Sequence, residues 1–323
     1  MKVALIWQGF DGRYGQWRDG LWAAMQLIEK EHEVGYFDFK NGRIERIIYT
    51  SNFTPKGVKS QLVQDINEYK PDVVLYWEAP VTNKGKDADN WFSVCALPYP
   101  KALLFAGGPL RAIDVKDFDL VFTESQINDE DCEREGIPHK RAFGVNTQIF
   151  KPLEVEKKYD AFLQATFAEW KRHTLFAEAI GSKGAVAGRL QEHDRNGYDA
   201  CIKRKVTIFD ELPAEEVNIL INASYCVLNT SEYWGGGQRC TLEAMAAGIP
   251  VIVMADSPKN REYVEEGGGG LVVEPDANLI REAAEKIKTW DKGATEASQK
   301  YIQSKWTERH YADAILEGIK LIV

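Results

Sequence analysis

The chain has 323 residues, 44% hydrophobic and 28% charged, which excludes wholesale disorder and fibrous architectures and predicts two domains. Forty basic against 49 acidic side chains leave a net charge of −9, which disfavours a polyanionic partner such as DNA. No run approaches the ~18 uncharged apolar residues that a membrane-spanning helix needs.

Met1–Trp7 reads as a first β-strand and not as a signal peptide, since no small-residue cleavage site follows it. Strand-length runs rich in β-branched and aromatic residues then recur at Val34–Phe39, Asp72–Trp77, Ala102–Ala106 and Leu120–Thr123. Between them, Leu21–Glu31, Val58–Tyr69 and Gln126–Glu135 carry helical patterns. After a proline-containing, charged stretch near Phe150–Lys158, the same grammar restarts. Its strands are predicted at Tyr159–Gln164, Gly184–Ala187, Val206–Phe209, Cys226–Asn229, Val251–Met254 and Gly270–Val273. Alternation of this kind implies right-handed crossovers and mostly parallel sheets covered on both faces. The expectation is an α/β chain of two Rossmann-like, doubly wound domains, 1–152 and 153–305. The apolar-periodic segment 306–323 is free to pack back on the first.

Five scattered cysteines without a CxxC pair, and five histidines without ligand spacing, predict neither a disulfide framework nor a metal site. They suit a reducing, cytoplasmic setting. Asn229-Thr230-Ser231 matches a glycosylation sequon, which carries no weight without a secretory signal.

In open parallel sheets, ligands bind beyond the carboxyl ends of the strands where strand order reverses. With two such domains the default site is the cleft between them. The strongest signal is Ser231–Gly248: a strand feeds a loop with Gly235, Gly236 and Gly237, and a helix-forming run follows. Such glycines admit close backbone approach, and the amides of the new helix favour a phosphate. Gln238 and Arg239 stand at that helix start, where Arg239 adds charge, and Glu243 one turn on suits ribose hydroxyls. A tight turn needing glycine only for packing explains the glycines equally well. Likewise, Lys171 and Arg172 read on their own as a solvated basic face.

The ordered set Glu243–Val253, Asn260–Val264, Gly269–Val273 and Pro275 resembles the C-terminal half of GT-B glycosyltransferases of the family 4 type. Lys70–Val74 and the passage Gly144-Val145-Asn146-Thr147-Gln148-Ile149-Phe150-Lys151-Pro152 extend the resemblance over nearly the whole chain. It implies two domains facing a cleft, a nucleotide-diphosphate sugar as donor, a hydroxyl acceptor, retention of anomeric configuration, and no cofactor or metal. It implies that Glu243 binds the ribose and that Lys171 binds the diphosphate and is catalytic. The family's other glutamate falls at Gly235 here, a departure for which Glu232, three residues earlier, is the substitute carboxylate. Its arginine five residues before Lys171 is Thr166, leaving Arg172, Arg189 or Arg239 to supply the charge. The loop after the first strand, with Gly12 and Gly15, would approach the donor. Asp11, Tyr14, Trp17 and Glu78 are acceptor-side candidates. Two other readings stay open: glycosylation of a modified nucleic-acid base through Lys140-Arg141 and Lys203-Arg204-Lys205, and a non-catalytic nucleotide-sugar-binding protein.

Overall fold

The computed structural model describes residues 1–7, 20–40, 43–49, 60–78, 86–105, 110–190, 195–233, 238–290 and 292–323. They form two compact units, Met1–Phe143 with Arg309–Val323, and Gly144–Glu308. None of their helices is long and apolar enough to cross a membrane.

The first unit runs β1 (Lys2–Trp7), α1 (Gly20–Ile28), β2 (Glu33–Lys40), β3 (Arg43–Tyr49), β4 (Ser60–Asp65) and α2 (Ile66–Tyr69). It continues with β5 (Val73–Glu78), α3 (Lys86–Cys95), β6 (Lys101–Phe105), α4 (Ala112–Val115), β7 (Leu120–Thr123), α5 (Gln126–Glu135) and β8 (His139–Arg141). The sheet order is β4-β3-β2-β1-β5-β6-β7-β8. Strands β2 to β8 through β1 pair in parallel, while β3 and β4 add an antiparallel edge.

Strand β1 shows why the sheet lies between two layers. Val3, Leu5 and Trp7 enter one apolar cluster, and Ala4 and Ile6 enter the other, as the two-residue period of a strand dictates. Burying one large apolar side chain in this way contributes about 1.5–3 kcal/mol.

The segment Val58–Tyr69 corrects a sequence expectation. In place of one helix, Ser60–Asp65 is a strand paired with β3, and only Ile66–Tyr69 makes a helical turn. Asp65 is the reason for the break: its extended backbone and carboxylate, accepting from Asn67 N at 2.8 Å, start the helix afresh.

The second unit runs β9 (Tyr159–Gln164), a 3₁₀ turn (Glu169–Lys171), α6 (His173–Ile180), β10 (Gly184–Ala187), α7 (Arg195–Lys203), β11 (Thr207–Phe209) and α8 (Ala214–Asn222). Then come β12 (Ser224–Asn229), α9 (Gln238–Ala246), β13 (Val251–Met254), α10 (Pro258–Gly267), β14 (Gly270–Val273), α11 (Ala277–Ile287) and α12 (Lys292–Lys305). Its all-parallel order is β11-β10-β9-β12-β13-β14. The division between units falls at Gly144, ahead of the junction read from Pro152. Residues 145–153 are tied to the second unit: Val145 N donates to Trp306 O, Asn218 donates to Lys151 O, and Leu153 N donates to the Asn222 side chain.

The final helix, α13 (Glu308–Ile319), packs on the first unit. Tyr311, Ala312, Ile315 and Ile319 join Leu120, Phe122 and Ala142 in one cluster. Gly318 permits the approach, since a Cβ there would collide with the Phe122 ring.

Candidate functional site

In the second sheet, order reverses between β9 and β12, so the loops after those two strands flank the position where a doubly wound domain takes its ligand. Beyond β9 the chain keeps pairing with the end of β10, through Ala165 N to Ala187 O and Phe167 N to Arg189 O. Gly188 makes this possible, because a Cβ there would strike the Ala165 carbonyl. The chain then tightens into the 3₁₀ turn and passes through Arg172, whose φ of 50° lies in the left-handed region.

That turn is stitched to the loop after β12. Thr230 Oγ1 donates to Lys171 O at 2.5 Å, and Glu232 N donates to Trp170 O at 3.0 Å. Lys171 Nζ lies 3.3 Å from Ser231 Oγ. Desolvation pushes the Lys171 ammonium down to about 8; Cys240 opposes this shift, and the positive charges of Arg239 and Lys259 add to it. Lys171 thus feels positive charge from α9, through Arg239, and from α10, through Lys259, and helix-start backbone amides favour an anion as well.

Beneath them, Glu243 is 0% exposed, and its Oε2 accepts from Gln164 Nε2 at 2.8 Å. Cys240 Sγ donates to Gln164 O, at 3.0 Å. A second buried network fixes the loops from below. Asn229 Nδ2 and Thr241 Oγ1 donate to Asn260 Oδ1 at 3.0 and 2.9 Å, and Asn260 Nδ2 donates to Ser257 Oγ at 2.8 Å. It joins the end of β12, the first turn of α9 and the start of α10. Fully satisfied networks of this kind rigidify a site.

To one side, Arg172 forks onto Asp256 at 2.6 and 3.0 Å and reaches Glu232 at 3.5 Å. Hydrogen bonding to Asp256 raises its pKa above the ordinary value, so the guanidinium stays charged. A pocket of about 500 Å³ opens here, lined by Arg172, Glu232, Tyr233, Asp256 and Arg261 among others.

Of the sequence candidates, the structure brings Lys171, Glu232, Arg239 and Glu243 into one region of the second unit. Asp11, Gly12, Tyr14, Gly15, Trp17, Gly235, Gly236 and Gly237 lie outside the described residues, as does the side chain of Gln238, whose backbone opens α9. Glu78 ends β5 in the first unit and is half-buried. Arg189 follows β10 and holds Phe167 through its carbonyl. His173 is buried against Phe167, with ring centroids 4.2 Å apart, a packing role. No group of His, Cys, Asp and Glu placed to hold a metal occurs among the described residues. Sequence reasoning passed over Gln164, Asn229, Asp256, Lys259 and Asn260. Gln164 and Asn229 end strands and Asp256 follows one closely, while Lys259 and Asn260 lie on the first turn of α10 and carry no such signal.

Residues 145–305 match the family described as Glycosyl transferases group 1. With the two parallel-sheet units, this match supports a glycosyltransferase of GT-B fold. No curated protein matches the chain in a sequence search. Among solved structures, sucrose-phosphate synthase from Thermosynechococcus elongatus aligns with a TM-score of 0.73 at 14% identity, covering 99% of this chain and 98% of that one. The Anabaena protein HepE in complex with UDP-glucose aligns at 0.70 and 14%, covering 99% and 100%. A glycosyltransferase from Rickettsia africae aligns at 0.70 and 16%, covering 99% and 98%. At these identities the likeness is one of fold.

Proposed function

We propose that this chain is a retaining glycosyltransferase of the family 4 type, which moves a sugar from a nucleotide-diphosphate donor to an acceptor hydroxyl without a metal ion. The observation that carries the reading is the half-buried Lys171 ammonium at the strand-order reversal, beside Arg239 and the first turn of α9. Charge that develops on a leaving diphosphate needs preorganised positive groups, and these groups supply them where other folds use a divalent cation. Glu232, anchored through its backbone to Trp170 and lying 3.5 Å from Arg172, is the carboxylate we assign to the donor sugar in place of Gly235. Glu243 is assigned to the ribose side, working from a buried position against Gln164. The five free cysteines support a reducing compartment, and we place the enzyme in the cytoplasm.

Retention is the outcome we propose from the family 4 resemblance. An inverting enzyme needs a general base within hydrogen-bond reach of the acceptor hydroxyl. In a front-face displacement, the departing phosphate oxygen takes that proton itself. UDP-glucose, the ligand in the HepE complex, is the first donor to test. Incubated with donor and EDTA, the protein is expected to turn over and to give a product, or a hydrolysed sugar, with the donor's anomeric configuration in proton NMR read before mutarotation. An inverted anomer would move Asp11 to the head of the catalytic residues. A requirement for magnesium or manganese would overturn the helix-and-lysine account.

A further inference from the structure

Asn229 ends β12 with its side chain buried and both ends of its carboxamide engaged. Its Nδ2 donates to Asn260 Oδ1 at 3.0 Å and to Thr241 Oγ1 at 3.3 Å, and its Oδ1 accepts from Ser231 N at 3.2 Å. The bond to an amide two residues on is the local turn that asparagine side chains make well, and it leads the chain out of the strand. Asn260 is fixed in its turn by Thr241 Oγ1 and Ser257 Oγ. The three residues after Asn229 all grip the 3₁₀ turn. Thr230 Oγ1 donates to Lys171 O, Ser231 Oγ accepts from Lys171 Nζ, and Glu232 N donates to Trp170 O. We infer that Asn229 is a positioning residue for sugar transfer: clamped from α9 and α10, its carboxamide sets residues 230–232, which hold Lys171 by its carbonyl and by its ammonium.

The physical argument turns on what a buried polar network is for. Asn229, Ser231, Thr241, Ser257 and Asn260 are all buried, and each carries a desolvation cost that an apolar residue would avoid. Such a network provides one geometry in exchange, because displacing any member strands a buried donor or acceptor. Here that geometry ends at the Lys171 side chain. A displacement of about 1 Å at a reacting centre costs on the order of 100-fold in rate, so the orientation of this loop is worth fixing from behind.

This inference rests on the donor reading above, since it takes Lys171 as the group that meets the leaving diphosphate, and the test separates the two. Release of nucleoside diphosphate from UDP-glucose, GDP-mannose and ADP-glucose, with water as acceptor, is followed for the full chain and its variants. Asn229→Ala is expected to lower kcat by about 10- to 100-fold and to leave the donor KM within about twofold. Asn229→Asp, which keeps the volume and the acceptor for Ser231 N, should retain most of the turnover. Ser231→Ala should show the same split, and the double variant should lose no more than the worse single one, because both act on Lys171 by one path. Asn260→Ala replaces Asn229→Ala if the latter does not keep a wild-type melting transition, with the same split expected. A folded variant with wild-type kcat, a loss confined to KM, an aspartate variant as slow as the alanine one, or additive losses in the double variant overturns the inference while the donor reading stands. Wild-type protein that releases no diphosphate from any of the three donors overturns both.

Discussion

Lys171→Met is expected to lower kcat by about 100- to 1,000-fold, the range measured when one preorganised donor to a developing charge is removed. The loss should fall on turnover more than on donor affinity, because the diphosphate gains charge as the sugar departs. The pH dependence gives a second readout. Desolvation first, with Arg239 and Lys259 adding to it, pushes the ammonium from the ordinary 10.5 to about 8. An anionic ligand favours the charged form, so diphosphate affinity should fall as pH rises through about 8, and Lys171→Met should flatten that slope. The stability sign is opposite. The folded value lies below the unfolded one, so this lysine costs stability at neutral pH, and that cost is relieved between about pH 8 and 10.5. A wild-type kcat in a folded Lys171→Met protein would remove the residue from the chemistry.

Glu243→Ala is expected to act twice. The resemblance alone implied a ribose contact; the structure adds a carboxylate wholly inside the protein that accepts from Gln164. Removing it leaves Gln164 Nε2 without that acceptor, at a cost of about 1–3 kcal/mol in stability by denaturant titration. Nucleotide affinity should fall by a further 10- to 100-fold, the equivalent of about 1.5–3 kcal/mol for charged hydrogen bonds. Glu243→Gln keeps the volume and isolates the charge. If that variant binds nucleotide as wild type does, Glu243 is structural only.

Much of the fold was legible because its strands are short, apolar on both faces and separated by helical periodicity. Tyr159–Gln164, Gly184–Ala187, Val251–Met254 and Gly270–Val273 were readable from the residues themselves. The antiparallel edge was not. Residues 60–69 have a helical pattern, and only pairing with Arg43–Tyr49 and the cap at Asp65 make the first part a strand. Tertiary hydrogen bonding outweighed local pattern there.

The site was half legible. Lys171 looks like a surface lysine in sequence and owes its character to burial beside Ser231, which is a property of the folded loop. Asn229 carries a sequon pattern, yet its carboxamide is locked in a buried network 12 and 31 residues away along the chain. Lys259, on the first turn of α10 after a proline, has no local sign at all. What makes these residues special is convergence of three strand ends, and convergence has no one-dimensional signature.

On the proposed reading, the donor diphosphate sits at the carboxyl ends of β9 and β12. Hydrogen exchange of the full chain, with and without saturating nucleoside diphosphate, tests it most directly. Protection is expected to concentrate in residues 165–172, 229–233 and 238–246, with β14 and α11 unchanged. Protection confined to the first unit, or spread evenly over the second, would contradict it.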